Sequence, residues 1–158
     1  QWIADEMSGT GVFCSSTGDC YEGEFHRGRW EGRGRLEQKD GSYFHGRWKN
    51  GKLHGWAKAV FASGDLYEGE FAAGKPEGWG HKRYSGTGKY SGRWWKGLWH
   101  GYGTYQTTYG ESYCGFWFFN RAVGAFARKD KRGEYSKVFY FFSAAGKGSS
   151  PEKKKIND

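Results

Sequence analysis

Aromatic and polar residues alternate along this chain in short runs, and the runs return on a fixed beat. Tyr21-Glu-Gly23-Glu-Phe25 reappears as Phe44-His-Gly46-Arg-Trp48, Tyr67-Glu-Gly69-Glu-Phe71, Tyr90-Ser-Gly92-Arg-Trp94 and Tyr113-Cys-Gly115-Phe-Trp117, a step of 23 residues each time with no insertion or deletion. A glycine follows each run, at Gly28, Gly51, Gly74 and Gly97, and Asn120 stands there in the fifth copy. Asparagine tolerates a left-handed backbone better than most residues, so this position predicts a turn with positive φ. Another glycine comes four residues later, at 32, 55, 78, 101 and 124, and opens a second run such as Gly32-Arg-Gly34-Arg-Leu36. Two alternating runs around a glycine turn predict a β-hairpin. The unit is too short for a strand plus a useful helix, and the chain has only two prolines to interrupt a ladder. A fixed period means stacked copies of one supersecondary unit. The predicted fold is therefore all-β: an elongated, twisted, single-layer antiparallel sheet of consecutive hairpins.

Side chains alternate across a strand, so the first, third and fifth residues of each run share a face. That face carries Tyr21 and Phe25, Phe44 and Trp48, Tyr67 and Phe71, Tyr90 and Trp94, Tyr113 and Trp117. The central glycine of each run (23, 46, 69, 92, 115) is expected to leave space for a ring from a neighbouring strand. The opposite face reads Glu22/Glu24, His45/Arg47, Glu68/Glu70, Ser91/Arg93, then Cys114/Phe116. Its alternation of sign predicts a solvated lattice of salt bridges, each contributing little. The last copy breaks that pattern with Phe116, Phe118 and Phe119. Apolar residues on a face otherwise charged suggest that something covers them. One candidate cover is the run Val138-Phe139-Tyr140-Phe141-Phe142, folding back as a cap; the alternative is another protein.

The pattern Y-x-G-x-W, then x-x-G-x-x-H-G, then x-G-x resembles the MORN repeat (membrane occupation and recognition nexus). Gly51-Lys-Leu-His54-Gly55 and Gly97-Leu-Trp-His100-Gly101 fit its middle part closely. Five repeats are read at 21–43, 44–66, 67–89, 90–112 and 113–135. A half repeat or cap precedes them at 1–20, an apolar capping or docking segment follows at 136–142, and a flexible basic tail ends the sequence at 143–158. The resemblance implies a protein-docking sheet and, through the family's name, attachment to membranes.

Composition sharpens this picture. The chain has 158 residues, with aromatics at 20% and hydrophobic residues at 36%, so aliphatic side chains are scarce. Burial must come from rings spaced along a sheet rather than from a globular α/β core. The net charge of +8 favours an acidic partner. Basic side chains cluster on the first two hairpins, at Arg27, Arg29, Arg33, Arg35, Arg47, Lys49 and Lys52, as an anionic-lipid candidate. No apolar run is long enough to span a membrane, and no secretory signal is evident. The sequence opens at Gln1, which suggests a processed or excised piece, or one whose beginning is simply absent. The expected setting is intracellular: cytoplasmic, cytoskeletal or ciliary, or organellar after loss of a presequence. Cys14, Cys20 and Cys114 are expected to be reduced thiols there. The alternative is a Cys14–Cys20 bond across a hairpin.

The five histidines are scattered, and His54 and His100 fill the same repeat position. No spacing suits zinc, no nucleophile motif occurs, and the paired glycines belong to the repeat rather than to a dinucleotide site. No enzyme, cofactor, metal or small-molecule substrate is therefore expected. The leading functional expectation is a non-catalytic scaffold or accessory subunit whose partners are other proteins of a larger complex, docking through Phe116, Phe118, Phe119, Phe139 and Phe141. The alternative is peripheral attachment to anionic phospholipid. Choline-binding aromatic repeats and single-stranded RNA are weaker readings, and nucleic acid is not favoured.

Overall fold

A computed structural model describes residues 7–140. They form twelve strands: β1 (Gly9–Cys14), β2 (Cys20–His26), β3 (Arg29–Glu37), β4 (Tyr43–Lys49), β5 (Lys52–Val60), β6 (Leu66–Ala72), β7 (Lys75–Tyr84), β8 (Gly88–Trp95), β9 (Leu98–Thr107), β10 (Ser112–Phe118), β11 (Arg121–Lys129) and β12 (Tyr135–Tyr140). Strand order in space is strand order in sequence, in one open antiparallel sheet. This is the all-β sheet of consecutive hairpins that the 23-residue beat predicts.

Two backbone devices recur. The residue pairs 27–28, 50–51, 73–74, 96–97 and 119–120 all have positive φ, Asn120 at 65°. Two successive left-handed residues make the tight hairpin turn whose twist matches that of the flanking strands. The second device follows each turn. Glu31, Gly32 and Arg33 of β3 together face Glu24 of β2, because the register passes from Gly23↔Gly34 directly to Phe25↔Trp30. Gly32, at φ 66°, supplies the kink in that bulge, and Gly55, Gly78, Gly101 and Gly124 repeat it. Successive turns are tied together by backbone bonds, such as Gly51 N–H to the Trp30 carbonyl (2.9 Å) and Asn120 N–H to the Trp99 carbonyl (3.0 Å). On the opposite rim side chains make the ties. Asp19 accepts from Lys39 N–H, Ser42 from Ala62 N–H and Asp65 from Ser85 N–H.

A single sheet has no second layer to bury its rings, and this one builds a layer from them. Tyr21 lies flat over the glycine pair 23/34, and Trp30 stacks on it at 4.4 Å with 7° between planes. Phe25 and Trp48 close in edge-on at 5.2 and 5.4 Å. Tyr90 repeats the arrangement with Trp99 (4.2 Å, 4°), Trp94 and Trp117. Polar ring atoms are satisfied: Tyr21, Tyr67 and Tyr90 donate to the carbonyls of Glu24, Glu70 and Arg93, and Trp48, Trp94 and Trp117 donate to those of Gly34, Gly80 and Gly103. Phe44 and Tyr113 are only partly buried beside this core.

Four expectations need correction. Cys14 and Cys20 are not reduced thiols but a disulfide, because the β1–β2 register sets them directly opposite, with Cα atoms 4.1 Å apart. Gly23, Gly69 and Gly92 do not make room for a neighbouring strand's ring. A Cβ there would strike the partner glycine's Cα at 2.4–2.5 Å and the tyrosine hydroxyl of its own strand at 2.7–2.8 Å. Only at Gly115 does a neighbouring ring, Phe126, fill the space, while Gly46 faces Ala57. The segment around Val138 does not fold back over the sheet. It forms β12 and adds one more strand, with Tyr140 against Phe126. Phe141 and the tail at 143–158 lie outside the described residues.

Candidate docking faces

The face opposite the ring layer carries the exposed chemistry. The fourth correction falls here: the expected salt-bridge lattice is not what its acidic residues form. Glu24 accepts from the Arg33 amide (2.8 Å) and Glu70 from the Trp79 amide (3.0 Å). Both amides sit in the bulges, where the strand ladder leaves them without partners. On this face Glu22 alone of the four glutamates pairs with a base among the described residues, with Arg35 at 2.8 Å.

Withdrawing glutamates into backbone bonds leaves the bases concentrated. Arg33 stands directly opposite Arg47, Arg35 opposite His45, and His45 opposite Lys58. Like charges in register destabilise a sheet. Lys49 and Lys52 pair across the next turn, and Arg29 reaches Asn50 at 3.5 Å. Arg27 occupies the preceding turn, where its amide donates to Ser8. The seven bases therefore divide. Arg33, Arg35 and Arg47 share the face, and Arg27, Arg29, Lys49 and Lys52 line one rim.

Further along, the same face becomes aromatic. Phe116, Phe118 and Phe119 remain 37%, 42% and 42% exposed. His100 packs against all three rings, at 6.3, 5.3 and 4.8 Å, and Tyr102 meets Phe116 edge-on at 5.4 Å. The His100 Nδ1 is buried there without a hydrogen-bond partner. Phe139 joins this side of the sheet from β12, opposite Ala125, with the Lys137 ammonium 5.3 Å above its ring.

Sequence reasoning missed His100, which it read as a repeat position only, and one further set of residues. Trp56, Trp79 and Tyr102 occupy the same repeat position, between the bulge glycine and the next small residue, and are 53%, 48% and 69% exposed. Their period was visible in the sequence, but their face was not. A strand whose bulge opposes three residues to one cannot be assigned parity without its register. The Arg93 guanidinium lies 5.9 Å over the Trp79 ring.

This architecture defines a class: an all-β array of hairpin repeats that buries rings on one face and leaves the other exposed. The MORN repeat profile matches residues 1–20, 21–43, 44–66, 67–88 and 90–108, and the chain belongs to the MORN-repeat family. Such repeats serve binding to proteins or membranes. A search of curated proteins returned no match. No helix among the described residues is long and apolar enough to cross a membrane.

Proposed function

We propose that this chain is a non-catalytic docking scaffold, an accessory subunit held in a larger protein assembly. The observation that carries this reading is the exposed aromatic patch of Tyr102, Phe116, Phe118 and Phe119 around the half-buried His100, on a face that is charged in the earlier repeats. Contiguous apolar surface rimmed by polar residues marks an interaction site. The test is the native size of the particle containing the chain, in low and high salt, with Phe116→Ser and Phe118→Ser variants alongside. A large particle that persists in high salt and disappears in the variants supports the reading. A particle near 18.0 kDa under all conditions sinks it.

A specific observation also favours attachment to an anionic membrane: Arg33 faces Arg47 in register, with Arg35, His45 and Lys58 beside them. Each base near an anionic surface adds about 1 kcal/mol. Sedimentation with phosphatidylserine vesicles tests this, and the binding must vanish as salt shortens the screening length. The Cys14–Cys20 bond counts against the intracellular setting expected from the sequence, since such bonds persist in oxidising compartments.

A further inference from the structure

The row through Trp56, Trp79 and Tyr102 has a spacing that selects a ligand shape. These residues lie on β5, β7 and β9, each two strands from the next. Strands stand about 4.8 Å apart, so the rings recur about every 9.6 Å across the sheet. A polyproline-II peptide rises about 3.1 Å per residue with three residues per turn, so one edge of it recurs about every 9.3 Å. The two periods agree to within about 4%. A peptide running across the strands would place every third residue on a ring. A β-extended peptide presents one side every second residue, about 6.6 Å, and falls out of step.

Charge fixes what flanks it. In the same row, Arg33 and Arg47 stand one to two strands before Trp56, and neither guanidinium has a carboxylate partner among the described residues. Arg93 lies between Trp79 and Tyr102, close over the Trp79 ring. Acidic residues at one end of the peptide would relieve the repulsion of Arg33 against Arg47.

We propose that this face binds a proline-rich, polyproline-II peptide with proline at every third position, its prolines seated on Trp56, Trp79 and Tyr102 and its acidic end on Arg33 and Arg47. Flat exposed rings are the surface on which proline-rich ligands dock, and their preformed helix loses little entropy on binding. The inference rests on the docking reading and gives one partner's chemistry.

The test uses the full chain and a labelled peptide of two glutamates followed by three Pro-Ala-Ala triplets. Fluorescence anisotropy and tryptophan emission should both show saturable binding. Trp79→Ser should weaken it at least tenfold, and Arg33→Ser with Arg47→Ser at least fivefold. A peptide of the same composition with prolines at every second or fourth position should weaken it at least tenfold. Trp79 and both bases are exposed, so circular dichroism of the variants should match the parent chain. Absent binding at millimolar peptide, indifference to proline spacing, or indifference to Trp79→Ser overturns the proposal. Tighter binding of an oligouridylate than of the peptide overturns it in favour of nucleic acid. The docking reading stands or falls separately, on the high-salt particle and its dependence on Phe116 and Phe118.

Discussion

Replacing Gly103 by alanine separates steric from conformational roles of glycine in this array. Gly103 lies within β9 and has no positive φ, so its backbone accepts alanine without strain. The space does not. A Cβ at Gly103 would sit 2.3 Å from the Tyr90 hydroxyl, 2.5 Å from its Cζ and 2.7 Å from its Cε2. Tyr90 is fully buried, stacked on Trp99 and bonded to the Arg93 carbonyl at 3.1 Å, so the ring cannot retreat freely. Forcing an extra methyl into a packed core costs about 1–3 kcal/mol. Losing the hydroxyl's bond adds about 1 kcal/mol. The expected loss is about 3 kcal/mol, or roughly 10 °C in Tm for a chain of this size. Gly110→Ala is the control. Gly110 has φ 88° with nothing within 4 Å of its would-be Cβ, so only the left-handed penalty of about 1–2 kcal/mol applies. Thermal unfolding by tryptophan fluorescence measures the difference. Hydrogen exchange in β8 and β9 localises it, which matters because repeat arrays open piecewise. Adding Tyr90→Phe removes the nearest clashing atom, so the double variant should lose less than the sum of the singles. If Gly103→Ala proves no worse than Gly110→Ala, the tyrosine-over-glycine account of the core is wrong.

Burial raises the phenol of Tyr21, and the Glu24 and Glu31 carboxylates raise it further, to about 12; burial likewise raises Tyr84 to about 12. The protonated ring is the folded form, so their stabilisation is complete below pH 10 and lost as pH rises towards 12. The phenolate absorbance of Tyr21 and Tyr84, read as the difference from Tyr21→Phe and Tyr84→Phe variants, should therefore appear together with unfolding rather than near pH 10. Cys14→Ser opens a short loop whose closure is worth about 2 kcal/mol in the chain-entropy account, and the loss should appear as faster exchange in β1 and β2 but not in β8 to β12. Asp65 is held below the usual carboxylate range, chiefly by the Ser85 amide and then by Lys82. Its contribution is present above the ordinary carboxyl pKa and lost as pH falls. Asp65→Ala should flatten the acid limb of a stability profile, and an unchanged limb would refute the assignment. Glu70→Ala should cost about 1 kcal/mol by removing the carboxylate's bond to the exposed Trp79 amide in the bulge, and Glu70→Gln, which can still accept that bond, should recover most of it.

The sequence alone determined the repeat, the hairpin, the turn position at Asn120 and the five aromatic pairs of the ring face, but not Trp30 and Trp99, which stack on Tyr21 and Tyr90. These follow from local rules: a strand alternates with period two, a tight turn needs positive φ, and identical units stack. The sequence also held the recurrence of Trp56, Trp79 and Tyr102, without saying which way they point. Only the tertiary structure decided what depends on register. Cys14 meets Cys20 because of how β1 pairs with β2. Tyr21 covers Gly34 because those residues become neighbours only across the β2–β3 pair. Glu24 and Glu70 turn from salt-bridge candidates into amide acceptors because each faces a three-residue bulge. That turn leaves Arg33 opposite Arg47 with no carboxylate among the described residues to answer them. Period and propensity act along the chain and can be read from it. Opposition across strands is set by where each bulge shifts the ladder, and no local pattern encodes that shift.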